Sequence, residues 1–324
     1  MKIEMIKALI ISICILLVPF FLCGCVDENT NKNKLESAVV AINSEGDFTS
    51  IQDAIDNVQN GGKIYVKNGI YSETININKT VSLVGENKNF TIINCNTSST
   101  IRSDSIFFID ADNCSIQGFN ITCKYYSSGI SGIFINSSYN LIKNNIINNY
   151  HYGINIHSSS NNNNILKNIV LNSRNGIEIS GSENNNISEN SVSYSSVYGI
   201  YLYGSDKNNI SSNNLQNNYL ATRLTSSNDN TLTENLFTNN TAGLKLCCSS
   251  KRNVIFKNIF SINQDYSAID DVSNQWDNGV IGNYWDDYLN KYPDANSSEG
   301  IWDQPYNVKD DVYDRFPLVN PPII

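Results

Sequence analysis

The feature that most constrains the fold is a short pattern, Asn-x-aliphatic-x-x-Asn, which recurs seven times between residues 132 and 283. Successive copies are about 22–23 residues apart, a period typical of stacked repeat architectures. A low-complexity tract would show no constant phase between asparagine and isoleucine, so the pattern predicts a solenoid. The first asparagines of the copies are Asn140, Asn163, Asn185, Asn208, Asn230, Asn253 and Asn278, and the second ones are Asn145, Asn168, Asn190, Asn213, Asn235, Asn258 and Asn283.

The composition of the repeat selects among the solenoid classes. Most copies carry an apolar-x-apolar pair, such as Ile154/Ile156 or Ile177/Ile179, which is the alternation of a strand with one buried face. Leucine-rich repeats need a regular leucine framework, and helical repeats do not tolerate this much asparagine and serine. We therefore predict an all-β, single-stranded parallel β-helix of about ten coils. Its asparagines should occupy left-handed bends at the coil corners and stack in two lines.

The chain has 324 residues and a net charge of −9. A protein that binds nucleic acid needs a basic face for the phosphates, so the acidic balance predicts no nucleic-acid partner.

The N-terminus predicts export. Residues 1–25 combine Lys2 and Lys7 with an apolar run that is too short to span a bilayer comfortably. The run ends in Leu22-Cys23-Gly24-Cys25, which resembles the lipobox of bacterial and archaeal lipoproteins and implies lipidation of Cys25. The alternative is a simple anchor or a cleaved signal in which Cys25 has no role. Residues 26–43 are interpreted as a polar tether.

Residues 44–130 are predicted to contain an N-terminal cap and the first coils. Ile51, Ala54, Ile55 and Val58 fall on one helical face, and Thr49 or Ser50 precedes them as a helix cap. A short amphipathic helix of this kind can cover the open end of a solenoid. Two consecutive glycines, residues 61–62, are predicted to end this helix, and strands follow.

The order of these segments resembles a known family. The helix, the run Gly-Ile-Tyr-Ser-Glu-Thr-Ile-Asn-Ile at residues 69–77 and Val-Ser-Leu-Val-Gly at 81–85 resemble the first coils of pectate-lyase-like right-handed β-helices. Together with the asparagine coils, Gly-Asn-Tyr-Trp-Asp-Asp-Tyr at 282–288 and Gln-Pro-Tyr-Asn at 304–307 resemble the NosD group of archaeal and bacterial surface proteins. The resemblance implies a right-handed β-helix, with repeats over residues 131–283 and a C-terminal coil and acidic cap over 284–324. The fold alone does not assign an activity.

The resemblance also implies two metals. Family members have an Asp/Asn/Gly loop that resembles a calcium site. Its oxygen-bearing positions are matched in this chain by Asp294, Asn296, Glu299 and Asp303. The loop departs from the family pattern by one added residue and by serines in place of Gly and Asp. A plain capping turn explains this segment equally well.

Copper, which the family name suggests, is disfavoured, because after export the only soft ligands are two histidines and a few cysteines. Cys247 and Cys248 are predicted to point to opposite faces of a strand, which would make them a poor chelate. Cys95 and Cys123 end comparable segments of successive coils and are open to either a disulfide or two buried thiols.

The outward residues of successive coils form the candidate binding site. Glu178, Tyr201 and Arg223 lie one coil apart in one row, and His157 and Tyr203 belong to a parallel row. We call these five residues the exposed strip. Tyrosines next to charged side chains suit the stacking and hydroxyl bonding that sugars require. The alternative is an ordinary solvated sheet face.

The sequence therefore predicts a membrane-tethered extracellular β-helix protein that binds glycans or other cell-envelope components without catalysis. Its location would be the outer face of the cell membrane or a periplasm-like space. No signature of the polysaccharide hydrolases, lyases, epimerases or esterases built on this fold is found. A polysaccharide-active enzyme is the first alternative, and a NosD-type periplasmic copper accessory protein is the second.

Overall fold

A computed structural model describes residues 34–95, 105–124 and 129–323. The signal segment, Cys25 and the beginning of the tether lie outside the described residues. Within the described ranges, no helix is long and apolar enough to cross a membrane. The tether was predicted to extend to residue 43, but residues 35–40 form the first strand and pair with the next coil. The predicted tether is therefore too long at its C-terminal end.

Three parallel sheets run the length of the molecule, and each coil contributes one strand to each sheet. The first sheet contains, in spatial order, β1 (Leu35–Val40), β2 (Val58–Val66), β5 (Val81–Gly85), β8 (Ser115–Gln117), β11 (Leu141–Lys143), β14 (Asn164–Leu166), β17 (Asn186–Ser188), β20 (Asn209–Ser211), β23 (Thr231–Thr233) and β26 (Val254–Phe256). The second contains β3 (Gly69–Tyr71), β6 (Thr91–Cys95), β9 (Asn120–Cys123), β12 (Ile146–Asn148), β15 (Ile169–Leu171), β18 (Ser191–Ser193), β21 (Asn214–Gln216), β24 (Leu236–Thr238), β27 (Ile259–Ser261) and β29 (Tyr284–Trp285). The third contains β4 (Ile75–Ile77), β7 (Ser105–Ile109), β10 (Ser131–Ile135), β13 (Tyr152–Ile156), β16 (Asn175–Ser180), β19 (Tyr198–Tyr203), β22 (Leu220–Thr225), β25 (Ala242–Cys247) and β28 (Tyr266–Asp270).

The strands from β2 to β28 make nine complete coils, with β1 before them and β29 after them. Strands stack in register, so that Ile154 pairs with Ile177 and Ile177 with Ile200 in the third sheet. All three isoleucines are fully buried. The predicted parallel β-helix of about ten coils is confirmed.

A short helix covers the N-terminal end of the coils. Helix α1 (Ile51–Asn57) buries Ile51, Ala54 and Ile55, and the Ser50 hydroxyl accepts the Asp53 N–H at 3.2 Å as its N-cap. Glu73 from the first coil also accepts the N–H of Ile51, so the cap is joined to the solenoid. The predicted cap is confirmed, but its end is not at the two glycines. The helix ends at Asn57 and the chain enters β2 directly.

Buried asparagines form ladders at the corners between sheets. Asn213, between β20 and β21, shows the arrangement: its N–H and its Nδ2 both donate to Oδ1 of Asn235 one coil on, at 3.0 Å each. Its own Oδ1 accepts the same two donors from Asn190, and Nδ2 also reaches the carbonyl of Ile187. The amide of Asn213 thus satisfies a backbone N–H and a backbone C=O of the preceding coil, and the amide of the next coil satisfies the N–H of Asn213.

The prediction that the ladder asparagines themselves adopt the left-handed conformation is wrong. Except at Asn283, the residue immediately before each of them does. It can be a residue as unsuited to positive φ as Lys167, Glu189 or Ile262. The cost of this backbone is of order 1 kcal/mol or more per residue. The corner persists because the following amide is bonded in both directions along the stack.

A third ladder, which the sequence pattern did not predict, lies between the second and third sheets. Asn218 donates to Asn240, and Asn240 donates to Asn263. The sequence does contain a signal for this ladder, because each of its asparagines lies five residues after the second asparagine of a repeat. Earlier coils place Tyr150, Ser173 or Ser195 at that corner, which hid the pattern.

Two ladders end on buried carboxylates. The first does not end on Asn278, as predicted, but on Asn274, whose N–H and Nδ2 bond Asp270 at 2.5 and 3.0 Å. The second ends on Asn283, whose N–H donates to Oδ2 of Asp314 at 2.7 Å. Because every ladder amide passes its donors onward, the last one requires an acceptor with no donor of its own. The side chains of Asp270 and Asp314 supply such acceptor oxygens.

The C-terminal segment closes the other end of the core. Phe237, Phe260, Trp285 and Tyr306 stack in sequence with ring centroids 4.8, 4.5 and 4.0 Å apart. These spacings are close to one coil height, so the aromatic column continues the second sheet beyond its last strand. The cap contains α2 (Tyr288–Lys291) and two hairpins, β30 (Ser297–Ser298) with β31 (Ile301–Trp302) and β32 (Tyr306–Lys309) with β33 (Val312–Asp314).

The cysteines follow two different patterns. Cys95 and Cys123 lie opposite each other in β6 and β9 and form a disulfide with a Cα–Cα distance of 5.1 Å. Of the two alternatives for this pair, the bridge is correct. Among the described cysteines, Cys114, Cys247 and Cys248 are free.

Candidate functional site

The exposed strip lies on the outer face of the third sheet. Glu178 pairs with Tyr201 and Tyr201 with Arg223, and Tyr203 lies between Ser180 and Thr225. The predicted one-coil spacing along both rows is therefore present. The structure places four of the five residues together over β16, β19 and β22. His157 follows the end of β13, and its ring packs on Phe134 with centroids 5.2 Å apart.

Arg223 is held at the centre of the strip by its neighbours. Nη1 donates to the hydroxyl of Tyr198 at 2.8 Å, and Nε donates to Oγ1 of Thr225 at 3.1 Å. Nη2 lies 3.5 Å from Sγ of Cys247. A guanidinium has five N–H donors, so two remain for a ligand without loss of these bonds. The cation is therefore preorganised rather than free in solvent.

Glu178 is held in a similar way. Its Oε2 accepts from Nδ2 of Asn175 at 2.6 Å. Burial raises the pKa of this carboxyl above its usual value, although the Asn175 hydrogen bond and the charges of Arg174 and His157 act in the opposite direction. The neighbouring Asn155 and Asn175 each have a buried side-chain oxygen without a hydrogen-bond partner. Both of these oxygens are buried, so the half-buried carboxyl of Glu178 is the acceptor that this part of the strip presents to a ligand.

The tyrosines form one cluster. The ring of Tyr201 lies 4.7 Å from that of Tyr198 and 6.3 Å from that of Tyr203. Tyr203 is 53% exposed and Tyr201 is half-buried. Burial raises the pKa of the Tyr201 hydroxyl, so it remains a protonated donor at neutral pH.

The sequence pattern did not point to Tyr198 and Asn175, which position Arg223 and Glu178. Both lie three residues before a strip residue, at the start of their strands, and pair with each other across β16 and β19. Strict strand alternation would not place them beside the strip. The paired residues of these two strands skip the following glycines, so the simple alternation is interrupted there.

The predicted calcium segment is a small hairpin at the surface. Ser297 and Ser298 pair with Trp302 and Ile301, and Glu299 and Gly300 form the turn with positive φ. Oδ1 of Asp303 accepts the Asn296 N–H at 3.0 Å, which holds the hairpin base. No three His, Cys, Asp or Glu side chains of the described ranges gather into a metal-binding group, and Asp294, Glu299 and Asp303 are not brought together. Calcium at this loop stays a prediction.

The same observation bears on copper. The two histidines each pack on an aromatic ring, His151 on Tyr152 and His157 on Phe134. Cys247 and Cys248 supply two sulfurs without a third His, Cys, Asp or Glu among the residues that the structure describes. These side chains do not fit a copper centre of the usual nitrogen and sulfur type.

Comparisons with known proteins identify the fold and the family. The structure is similar to XylC in a complex with xylose, with a TM-score of 0.57 and 12% identity over 76% of this chain and 68% of that one. It is also similar to DFA-IIIase from Arthrobacter chlorophenolicus A6, with a TM-score of 0.52 and 15% identity over 72% of this chain and 69% of that one. At these identities the likeness shows the fold alone. No curated protein sequence matches the chain.

The profile of one family matches residues 25–290, which is most of the chain and includes all nine coils. The description of that family is periplasmic copper-binding protein (NosD). The chain, a β-helix with buried asparagine ladders and a capped core, belongs to the NosD family.

Proposed function

We propose that this protein binds glycans through the exposed strip, without catalysis, while Cys25 tethers it to the membrane. The observation that supports the proposal most directly is the preorganised cluster of Tyr198, Tyr201, Tyr203 and Arg223 beside Glu178. Its tyrosines present apolar ring faces with hydroxyls at their tips, at a low cost in side-chain entropy. A sugar ring offers both an apolar C–H face and a set of hydroxyls, so the two surfaces are chemically complementary.

The electrostatics of the cluster also favour a ligand over a bare solvated face. Ordinary surface charges pair with each other, as Lys207 does with Glu183 at 3.1 Å elsewhere on the coils. Arg223 instead bonds a tyrosine, a threonine and a cysteine, and no carboxylate accepts from it within the described contacts. Two of its N–H groups remain without a partner in these contacts, and an acidic sugar or a dense hydroxyl array would accept hydrogen bonds from them.

The fold is compatible with sugar binding, since XylC holds xylose on a similar scaffold. Hydrolytic catalysis at the strip has less support. Glycosidases use two carboxyl groups, and the partners of Glu178 in the adjacent strands are Asn155 and Tyr201. Glu178 therefore has no second carboxylate beside it in the sheet.

The test is a glycan array probed with the full chain and with the double variant Tyr201→Ala/Tyr203→Ala. We expect the variant to bind these glycans at least about tenfold more weakly than the wild type does, since each stacked ring contributes on the order of 1 kcal/mol. The matched control is Tyr65→Ala/Tyr313→Ala, which removes two exposed tyrosines away from the strip. Equal affinity of the wild type and the Tyr201/Tyr203 variant would exclude the strip as the site.

The tether is tested separately. In the Cys25→Ser variant we expect the protein to leave the membrane fraction or to keep its signal segment. Intact mass of the wild type should show a lipid on Cys25. A wild-type chain cleaved elsewhere, with Cys25 unmodified, would refute the anchor and leave the binding proposal untouched.

A further inference from the structure

Two adjacent cysteines at the edge of the strip have an arrangement that strand alternation does not predict. Cys247 is the last residue of β25 and is buried, and Cys248 is exposed. Cys248 has a φ of 56°, so the chain turns there instead of continuing as a strand. The turn brings the two sulfurs to 2.8 Å from each other. The expectation that the side chains point to opposite faces is therefore wrong.

The surroundings distinguish the two thiols. Sγ of Cys247 lies 3.5 Å from Nη2 of Arg223 and 3.8 Å from Oγ1 of Thr225. Burial alone would raise the pKa of the Cys247 thiol, but the hydrogen bonds from Cys248, Thr225 and Arg223 outweigh it and lower the pKa. The pKa of Cys248 is raised, chiefly by its hydrogen bond to Cys247. Within the pair, the buried Cys247 sulfur beside the guanidinium is therefore the one that loses its proton more easily.

A disulfide between these residues would differ from the structural one. Adjacent Cα atoms are about 3.8 Å apart, whereas disulfides normally join Cα atoms about 4.4–6.8 Å apart. Cys95 and Cys123, at 5.1 Å, lie within that range. A bond between neighbours is therefore strained, and strained, exposed disulfides are those that are readily reduced.

We propose that Cys247 and Cys248 form a thiol–disulfide exchange site that reacts with low-molecular-weight disulfides. In the first step the exposed sulfur of Cys248 attacks one sulfur of the substrate disulfide as its proton passes to the Cys247 thiolate. One substrate thiolate leaves, and Cys248 carries the mixed disulfide. The departing thiolate then takes the proton from Cys247.

In the second step Sγ of Cys247, as a thiolate again, attacks Sγ of Cys248. A Cys247–Cys248 bond forms, the mixed disulfide breaks and the second substrate thiolate leaves. The two cysteines are oxidised by two electrons, and one substrate disulfide is reduced to one thiol and one thiolate, which takes a proton from solvent. In the reverse direction a thiol attacks the exposed Cys248 sulfur, and Cys247 leaves as the stabilised thiolate, which favours fast reduction.

The experiment treats the reduced full chain with oxidised glutathione under native conditions, followed by acid quenching, alkylation and peptide mapping. In the wild type we expect the peptide with both cysteines to lose two hydrogens and to carry no glutathione. In Cys247→Ser, which cannot resolve the adduct, we expect glutathione to remain on Cys248. Cys114→Ser is the matched control, because Cys114 is a buried free thiol remote from the pair in sequence, and it should behave as the wild type.

Two results would overturn the proposal. One is a wild-type chain that keeps glutathione on Cys248 as durably as Cys247→Ser, and the other is no reaction until the chain is unfolded in urea. Phenylarsine oxide gives a second measurement that needs no variant. Its arsenic should bond both sulfurs of the folded wild type and protect them from alkylation, and failure to do so would show that the thiols are not adjacent in solution.

Discussion

The corners of the coils and the outer face of the third sheet follow opposite rules. At the corner between the first and second sheets, asparagine recurs in every coil from Asn145 to Asn283, and each amide repeats the bonds of the one before it. On the exposed strip the residue changes at every coil, from Glu178 to Tyr201 to Arg223. The two regions are equally regular in backbone and differ only in what their side chains must do.

The comparison shows where this chain has freedom. A buried corner leaves backbone N–H and C=O groups that no sheet pairs, and the stacked amide supplies both a donor and an acceptor at one-coil spacing. Replacing an asparagine within a ladder removes bonds to the coils on both sides of it. The outer face has no such requirement, so its cluster of tyrosines around Arg223 is not needed for the fold. Positions that keep the same residue in every coil serve the structure, and positions where the residue changes from coil to coil are the candidates for function.

The largest predicted effect is at a corner. Asn213→Leu leaves the N–H and one Nδ2 hydrogen of Asn190 without an acceptor, and it removes the Nδ2 donor to Asn235 and to the carbonyl of Ile187. With about 1–3 kcal/mol for each buried group left unpaired, we expect the free energy of unfolding to fall by about 4 kcal/mol. Urea unfolding measures it, with the outward Gln216→Leu of the same coil as the control. A loss no larger than in the control would show that the ladders do not stabilise the solenoid.

The second prediction concerns the end of that ladder. Burial raises the pKa of Asp314 to about 7, against the hydrogen bonds that it accepts from Asn283, Trp285 and Phe316. The unfolded carboxyl has an ordinary, lower pKa, so the folded state binds the proton more tightly and this contribution to stability is lost as pH rises through 7. We expect it to lower the free energy of unfolding by about 2–3 kcal/mol between pH 5 and pH 8.

The measurement is urea unfolding of the wild type and of Asp314→Asn at both pH values. The variant has no titrating group at this position, so the stability difference between the two proteins should shrink at pH 8. Parallel pH curves would contradict the raised pKa of Asp314.

The smallest effect is expected on the exposed strip. Tyr201→Ala/Tyr203→Ala removes ring contacts with Tyr198 but leaves no buried polar group unpaired, so we expect a loss of at most about 1 kcal/mol. Thermal unfolding of the variant alongside Asn213→Leu gives the contrast directly. A loss as large as at the corner would mean that the strip belongs to the structural framework, and its residues would then be explained without a ligand.

The sequence by itself determined the architecture. A constant phase between asparagine and isoleucine at this period predicts a coil that turns next to the amide and buries the aliphatic side chain. The same regularity is sufficient to place Glu178, Tyr201 and Arg223 in one row, because residues one period apart stack on each other. Local chemistry likewise predicted the helix at Ile51, because capping and amphipathic spacing act over a few residues.

Only the tertiary structure decided the features that depend on where the repetition stops. The end of a ladder is set by the acceptor that its last amide contacts. The roles of Asn274, Asp270 and Asp314 therefore follow from the packing of the C-terminal cap and not from the repeat. The sulfurs of Cys247 and Cys248 meet because the chain turns at φ 56°, which alternation along a strand cannot foresee. Contacts made at such breaks depend on the backbone conformation of a single residue. A sequence pattern needs several residues, so it cannot predict that conformation.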